Sequence, residues 1–159
     1  MLVATRKEKM KAMSDRSWQR AEWMGLLARA APARLAALMP APLPVHTLLR
    51  KPEIGAVMLR GRIGGKGAPF NLGEMTVTRC ALRLVTGEVG HGNVQGRDRG
   101  HALNAALVDA LMQTPDAAAV ATQVLAPLAA EEAARRGARA ARAARTKVEF
   151  FTLVRGEDA

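Results

Sequence analysis

Seven cationic side chains lie among glycines between residues 60 and 99. Arginine and lysine near glycine are suited to phosphate or carboxylate binding, because a guanidinium donates two parallel hydrogen bonds and glycine allows close approach to the backbone. The cations are Arg60, Arg62, Lys66, Arg79, Arg83, Arg97 and Arg99. Two interpretations stay open for this set: an anion-binding site and a surface that contacts a partner protein.

Neither common nucleotide-binding fingerprint is present around these glycines. A P-loop anchored on Gly65 and Lys66 would require glycine at position 60 and a hydroxyl residue at position 67, where the sequence has Arg60 and Gly67. The dinucleotide fingerprint G-x-G-x-x-G also fails from Gly90, because its sixth position is occupied by glutamine. We therefore do not expect the glycines to form a nucleotide site of either type.

The remaining candidates for chemistry are few. His46, His91 and His101 are too far apart in the sequence for local metal-ligand spacing, and no metal site is predicted. Cys80 is the single cysteine, so this chain alone forms no internal disulfide and no cysteine-ligated cluster, and a place in the core is expected for it. Asp98 and Asp109 could be the acidic counterpart of the arginines, but the favoured prediction is a helix cap for Asp98 and a solvated helix residue for Asp109. No catalytic residue is identified.

The chain is strongly basic, with a formal charge of +10 and a sequence pI near 11.2. Nucleic acid, an anionic membrane surface, a polyphosphate and an acidic protein all satisfy this charge. Two tryptophans, three phenylalanines and no tyrosine provide little for base stacking, so nucleic acid is an unlikely partner by composition, and a basic nucleic-acid-binding module is kept as the alternative function. No secretory signal or membrane span is recognised, which predicts a cytoplasmic protein without a membrane partner.

Periodicity predicts an α+β fold. Residues 1–14 read as a flexible basic arm and residues 15–159 as a single α+β domain. A helix containing Trp23, Leu26 and Leu27 is expected after a cap at Ser14 or Asp15, followed by a short helix at 33–39.

A small antiparallel sheet is predicted after these helices, as a meander plus a C-terminal strand, packed with several helices. The meander strands are expected at 54–63, 74–85 and 89–95, and the last strand at 147–155. In the second strand, alternation places Arg79 and Arg83 on one face with Met75 and Val85, and the opposite face is expected to carry Thr76, Thr78, Cys80, Leu82 and Leu84. A helix is expected at 99–112, and another helical stretch, with Val120, Val124, Leu125 and Leu128, is expected to run into EEAARRGARAARAART at 131–146. Glycines in the third strand suggest that another backbone or a ligand comes close to it.

Three sequence blocks together resemble the PhnG family, the G subunit of the bacterial carbon-phosphorus lyase core complex. The blocks are RIGGKGAPFNLGEMTVTRCALRL at 62–84, GNVQGRDRGHALNAALVDALM at 92–112 and FFTLVRGEDA at 150–159. The order and spacing match from about residue 15 to the C-terminus. The arm at 1–14 and the alanine-arginine run at 133–145 are not typical of the family.

The resemblance implies a subunit of alpha-D-ribose 1-methylphosphonate 5-triphosphate synthase, in which a phosphonate replaces the adenine of a nucleoside triphosphate such as ATP. It implies the H, I and J subunits as partners. The nucleosidase chemistry is expected in the I subunit, and the iron-sulfur cluster and S-adenosylmethionine in the J subunit. The resemblance therefore implies no cofactor in this chain and an accessory role for it.

Overall fold

The computed structural model describes residues 18–146 and begins with two short helices. Helix α1 spans Arg20–Arg29, and the Glu22 carboxylate accepts a hydrogen bond of 3.1 Å from the backbone N–H of Gln19, the residue before the helix. The predicted cap at Ser14 or Asp15 is therefore wrong for this helix, which begins several residues later. Helix α2 spans Pro32–Leu38 and starts on a proline, whose missing N–H costs nothing at a first helical position.

Three antiparallel strands follow in the order β1-β2-β3, as the meander prediction required. They are β1 (His46–Arg62), β2 (Pro69–Leu84) and β3 (Val89–Gln95). Strand β1 begins eight residues earlier than predicted. Its pairing with β2 is irregular from Leu48 to Glu53, and this irregularity interrupts the alternation by which a strand is recognised in a sequence. The sheet and its helices make the fold α+β.

The remaining helices follow the sheet. Helix α3 spans Arg99–Leu111, and Asp98 caps it as predicted, its Oδ1 accepting from the backbone N–H of His101 at 2.8 Å. Helix α4 (Ala117–Val120) continues through a π-helical turn into α5 (Ala126–Ala144). As predicted, this helical stretch carries Val120, Val124, Leu125 and Leu128 and continues into the alanine-arginine run.

The helices that contact the sheet pack on one face of it and bury a single core cluster. Strand β2 contributes Cys80, Leu82 and Leu84, each at most 5% exposed, so the predicted core position of Cys80 is confirmed. Burial of such apolar area is the main favourable term in folding. The helical part of the core is formed by Trp23, Leu26, Leu27, Leu35, Ala102, Ala106, Leu107, Val108, Ala110, Val124, Leu125 and Leu128.

Strand β3 and helix α3 approach each other more closely than side chains would allow. A Cβ atom at Gly90 would lie 2.0 Å from the carbonyl oxygen of Ala106, and one at Gly92 would lie 2.0 Å from that of Ala102. Only glycine on the strand and alanine on the helix permit this backbone contact. The expectation that another backbone lies against the third strand is confirmed.

Two predicted segments, the basic arm at 1–14 and the strand at 147–155, lie outside the described residues. Between residues 18 and 146, no helix is long and apolar enough to cross a membrane.

Candidate functional site

The meander forms a long hairpin of which only one half is held by the rest of the protein. The last pair between β2 and β3 joins Val77 to Gln95, whereas β1 and β2 continue to pair as far as Arg62 and Pro69. Eight residues of β2 therefore extend past the end of β3, roughly 26 Å at about 3.3 Å per residue. We call residues 55–76 the projecting hairpin.

The projecting hairpin and the strand residue before it are rich in exposed apolar side chains. Six large apolar residues between positions 54 and 72 are 36 to 66% exposed. Side chains of Phe70 and Leu72 lie on the same side, both beside Gly61 of the opposite strand. This much exposed apolar surface is typical of a region that another molecule covers. The six residues are Ile54, Met58, Leu59, Ile63, Phe70 and Leu72.

Three of the seven predicted cations belong to this hairpin. Arg60 and Arg62 pair across the strands with Asn71 and Pro69, and Lys66 lies in the connecting turn. The Arg62 guanidinium donates to the carbonyl of Gly67 at 3.2 Å and so helps to close that turn. All three cations are exposed at the tip, where they can contact a partner but line none of the described cavities.

Arg79 and Arg83 lie on the sheet face that points away from the helices. Their neighbours Cys80, Leu82 and Leu84 are buried on the opposite face, as the alternation of a strand requires. The sequence correctly separated these two sets of side chains. Ten residues of β2 separate Arg79 from the partner of Arg62, roughly 33 Å of strand. The seven cations thus lie in three places: at the hairpin tip, on the outer face of the sheet, and, for Arg97 and Arg99, around the start of α3.

A hollow of about 450 Å³ surrounds Arg79 on this outer face. Arg50 of β1 lines it beside Arg79, and His91 and Asn93 of β3 complete the polar wall. The guanidinium groups of Arg50 and Arg79 each lie 3.3 Å from the same oxygen of Glu53, so two positive charges share one negative charge. We call this the outer-face hollow.

Arg79 has unused hydrogen-bonding capacity in the outer-face hollow. Among the described residues its Nε is buried without a hydrogen-bond partner, although the side chain as a whole is 41% exposed. A buried donor without an acceptor is costly, and an anion bound to the guanidinium would satisfy it. Arg50, His91 and Asn93 were not predicted, because only strand pairing brings them beside Arg79.

The remaining predicted cations, Arg97 and Arg99, flank a turn with a structural role. Gly96 has a φ of 91°, which glycine adopts without strain, and its carbonyl accepts from the Thr78 hydroxyl at 2.7 Å. Its N–H donates to the carbonyl of Thr76 at 2.9 Å. The V-Q-G-R-D segment therefore fastens the end of β3 to β2 and begins α3, while both arginines stay exposed.

Asp109 was predicted to be solvated, and this prediction is wrong. Its side chain is fully buried and accepts four hydrogen bonds: two from the Arg20 guanidinium at 2.7 and 3.1 Å, one from Trp23 Nε1 at 2.9 Å and one from the His91 N–H at 2.9 Å. The side-chain hydrogen bonding of Arg20 to Asp109 raises the pKa of the arginine. Asp109 lies seven residues after Ala102 on the buried stripe of α3, which is the signal that could have revealed it.

The histidines show no shared site. His101 is buried, and its Nε2 lies 2.8 Å from the carbonyl oxygen of Leu27, whereas His91 lies in the outer-face hollow and His46 at the start of β1. In the part of the chain that the structure describes, no three residues of the types His, Cys, Asp and Glu are grouped to hold a metal ion.

Comparison with known proteins explains why the three blocks occur together. Residues 18–156 match the family model described as phosphonate metabolism protein PhnG. The chain belongs to the PhnG family. It is also 49% identical over 146 residues to a protein of Rhizobium meliloti (strain 1021), alpha-D-ribose 1-methylphosphonate 5-triphosphate synthase subunit PhnG, a match that covers 88% of this chain and 91% of that relative. The resemblance identified from the blocks is confirmed, and all seven predicted cations fall inside the matched region.

Proposed function

We propose that this chain is an accessory subunit of an alpha-D-ribose 1-methylphosphonate 5-triphosphate synthase, the enzyme in which a phosphonate replaces the adenine of ATP. The observation that carries the proposal is the 49% identity to a subunit of that synthase over most of both chains. The proposed partners are the H, I and J subunits. We place the iron-sulfur cluster and S-adenosylmethionine in another subunit, because this chain has a single, buried cysteine.

The projecting hairpin is the proposed docking element. It offers exposed apolar side chains for a partner to bury, with Arg60, Arg62 and Lys66 beside them to select an acidic surface. Protein interfaces commonly combine an apolar centre with a charged rim in this way. A second copy of the chain would cover the same side chains, and the experiment below separates that occupant from a synthase subunit.

The accessory role follows from what the outer-face hollow can do. Arg50 and Arg79 supply positive charge and hydrogen-bond donors, which would hold a phosphate or a partner carboxylate in place. Cys80 borders the hollow, but its side chain lies on the buried face of β2, and burial raises the pKa of its thiol, which makes it a poor nucleophile. We therefore assign binding or positioning, not bond cleavage, to this face.

Co-expression tests the proposal. The tagged chain is expressed with the neighbouring operon subunits, isolated at moderate salt, and assayed for adenine released from ATP in the presence of methylphosphonate. A stable complex whose activity disappears when this chain is omitted supports the proposal. Elution of the chain alone as a homodimer, or bound only to nucleic acid, contradicts it. Product formation by the isolated chain would contradict the accessory role.

A further inference from the structure

A second basic hollow lies on the other side of the molecule, between α1 and α5. It has a volume of about 510 Å³ and is lined by Arg29 from the end of α1, His101 from α3, and Glu132, Arg135, Arg136 and Arg139 from α5. Four guanidinium groups face one carboxylate, which leaves a surplus of three positive charges. We call this the helix hollow. It contains the first part of the alanine-arginine run, which the synthase role leaves unexplained.

Contacts within the helix hollow hold two of its arginines in position. The carboxylate of Glu132, whose side chain is only 13% exposed, accepts from Arg29 Nε at 2.7 Å and from Arg136 Nη2 at 2.8 Å. Each contact uses one of the three guanidinium nitrogens, so other N–H groups remain for a ligand. Arg135 donates one weak bond of 3.5 Å to the backbone carbonyl of Arg29. Side chains already ordered in this way lose less conformational entropy when a ligand binds.

We propose that the helix hollow binds a small anion that carries two or more linked phosphate groups. Guanidinium forks match phosphate oxygens in pairs, and several forks around one hollow fit a ligand with several adjacent negative oxygens. The volume lies in the range of small-molecule sites, about 300 to 1,000 Å³. This inference does not depend on the proposed synthase role.

The lining favours a small phosphate ligand over an acidic peptide or a nucleic acid. Its apolar part consists of Ala28, Ala30 and Pro32, which form no pocket for the large side chains by which peptides anchor. No tryptophan, tyrosine or phenylalanine lines it, and the one aromatic ring, that of His101, is buried beside the Leu27 carbonyl, so nucleic-acid bases have no exposed platform on which to stack. The positive charge is the one strong feature of this hollow.

Calorimetric titration of the full chain with inorganic tripolyphosphate, at about 0.15 M salt, tests the proposal. We expect saturable binding at one site. Replacing Arg135 and Arg139 together by alanine should weaken it by at least about tenfold, because two charge-assisted contacts are lost. The control replaces Arg142 of the same helix and Arg145, the residue directly after it, by alanine. This pair loses the same charge but lies outside the hollow, and the expected change in affinity is less than about twofold.

A second variant separates fork recognition from simple charge attraction. Arg135→Lys with Arg139→Lys keeps both charges but removes the forks, and should bind tripolyphosphate more weakly than the native chain. The proposal is overturned if native binding is not saturable, if the two alanine pairs lose affinity equally, or if the lysine pair binds as tightly as the native chain. Displacement of bound tripolyphosphate by a glutamate-rich peptide or an oligonucleotide at lower concentration would assign the hollow to that partner instead.

Discussion

The Asp109 carboxylate and the Arg20 guanidinium form a two-pronged ion pair that joins α3 to α1. The Nη2 to Oδ2 distance is 2.7 Å and the Nε to Oδ1 distance is 3.1 Å, and the carboxylate is fully buried. The same carboxylate also receives the Trp23 indole and the His91 backbone N–H. One side chain thus connects two helices and the third strand.

Asp109→Ala should destabilise the chain by about 3 to 5 kcal/mol, because it leaves the buried indole N–H of Trp23 and the partly buried N–H of His91 without their acceptor and removes the ion pair with Arg20. Urea unfolding followed by circular dichroism measures the change. Asp116→Ala is the matched control, since Asp116 is exposed and makes no side-chain cap bond at the start of α4. Equal stability of the two variants would show that the buried network contributes nothing.

Gly92→Ala should destabilise the fold by about 1 to 3 kcal/mol or prevent folding. The new methyl group would lie 2.0 Å from the Ala102 carbonyl oxygen, so strand and helix must separate. Gly73→Ala is the control, because Gly73 has open space around its missing Cβ. Thermal melts of both variants measure the difference, and a native melting temperature for Gly92→Ala would contradict the close packing of β3 on α3.

The ion pairs of Glu132 predict a pH dependence of stability. The Arg29 hydrogen bond lowers the pKa of Glu132 below its ordinary value of 4.5. A carboxyl whose pKa is lower in the folded state stabilises fully above pH 4.5, and this stability is lost as the pH falls through the folded pKa. The native protein should therefore unfold at a higher urea midpoint than Glu132→Gln at pH 7, and the difference between the two midpoints should disappear at acid pH.

Glu131→Gln provides the comparison for this titration. Glu131 pairs with Arg34 at the same 2.7 Å distance, but its side chain is 49% exposed, whereas that of Glu132 is 13% exposed. Solvent screens the exposed pair, so its removal should change the urea midpoint less at every pH. If the difference in urea midpoint between the native protein and Glu132→Gln stayed constant down to low pH, the stabilising role of the ionised Glu132 carboxylate would be contradicted.

Leu72→Asp should abolish co-purification with the other synthase subunits and leave the isolated chain folded. Leu72 is 65% exposed on the projecting hairpin, so an aspartate at this position stays hydrated in the free chain. In an apolar interface the same carboxylate would lose its hydration, which is costly. Val85→Asp serves as the control, because Val85 is 78% exposed in the β2–β3 turn, at the other end of the strand. Retention of the partners by Leu72→Asp would remove the hairpin as the docking element.

Arg79→Ala and Arg97→Ala should impair assembly or turnover of the reconstituted synthase by about tenfold or more, because each removes a guanidinium from one of the three sequence blocks that resemble the family. Arg142→Ala, in the alanine-arginine run, should change neither by more than about twofold. Binding of partner subunits and adenine release are measured separately for each variant. Equal and negligible effects of all three substitutions would count against a functional role of the sheet face.

The elements with regular periodicity were predictable, because in them the polarity of each residue indicates whether its side chain is buried or exposed. Helix α3 and strand β3 were placed within a residue, and the buried side of β2 was read from Cys80, Leu82 and Leu84. The first half of β1 was missed, since its irregular pairing removes the alternation. No local signal shows that β3 stops short of the hairpin tip, which is a property of strand pairing.

The candidate site was predictable in composition and not in arrangement. Arg79 was identified from its position between glycine-rich segments, but Arg50 and His91 come to it from other strands. Asp109 was misjudged because an aspartate in a helix is usually exposed, and only its hydrogen-bond partners Arg20 and Trp23, which come from another helix, reverse that expectation. The helix hollow likewise requires α1 and α5 to meet.

The two halves of the long hairpin differ in how strongly the fold restricts their side chains. Beyond Val77 toward Leu84, side chains of β2 alternate into the core, so their volumes are limited by the helices packed against them. From Thr76 back toward Pro69, no side chain of β2 is buried in the core. Substitutions in that second half can therefore alter recognition with little loss of folding stability, and the hairpin tip can change with its partner while the body of the domain is retained.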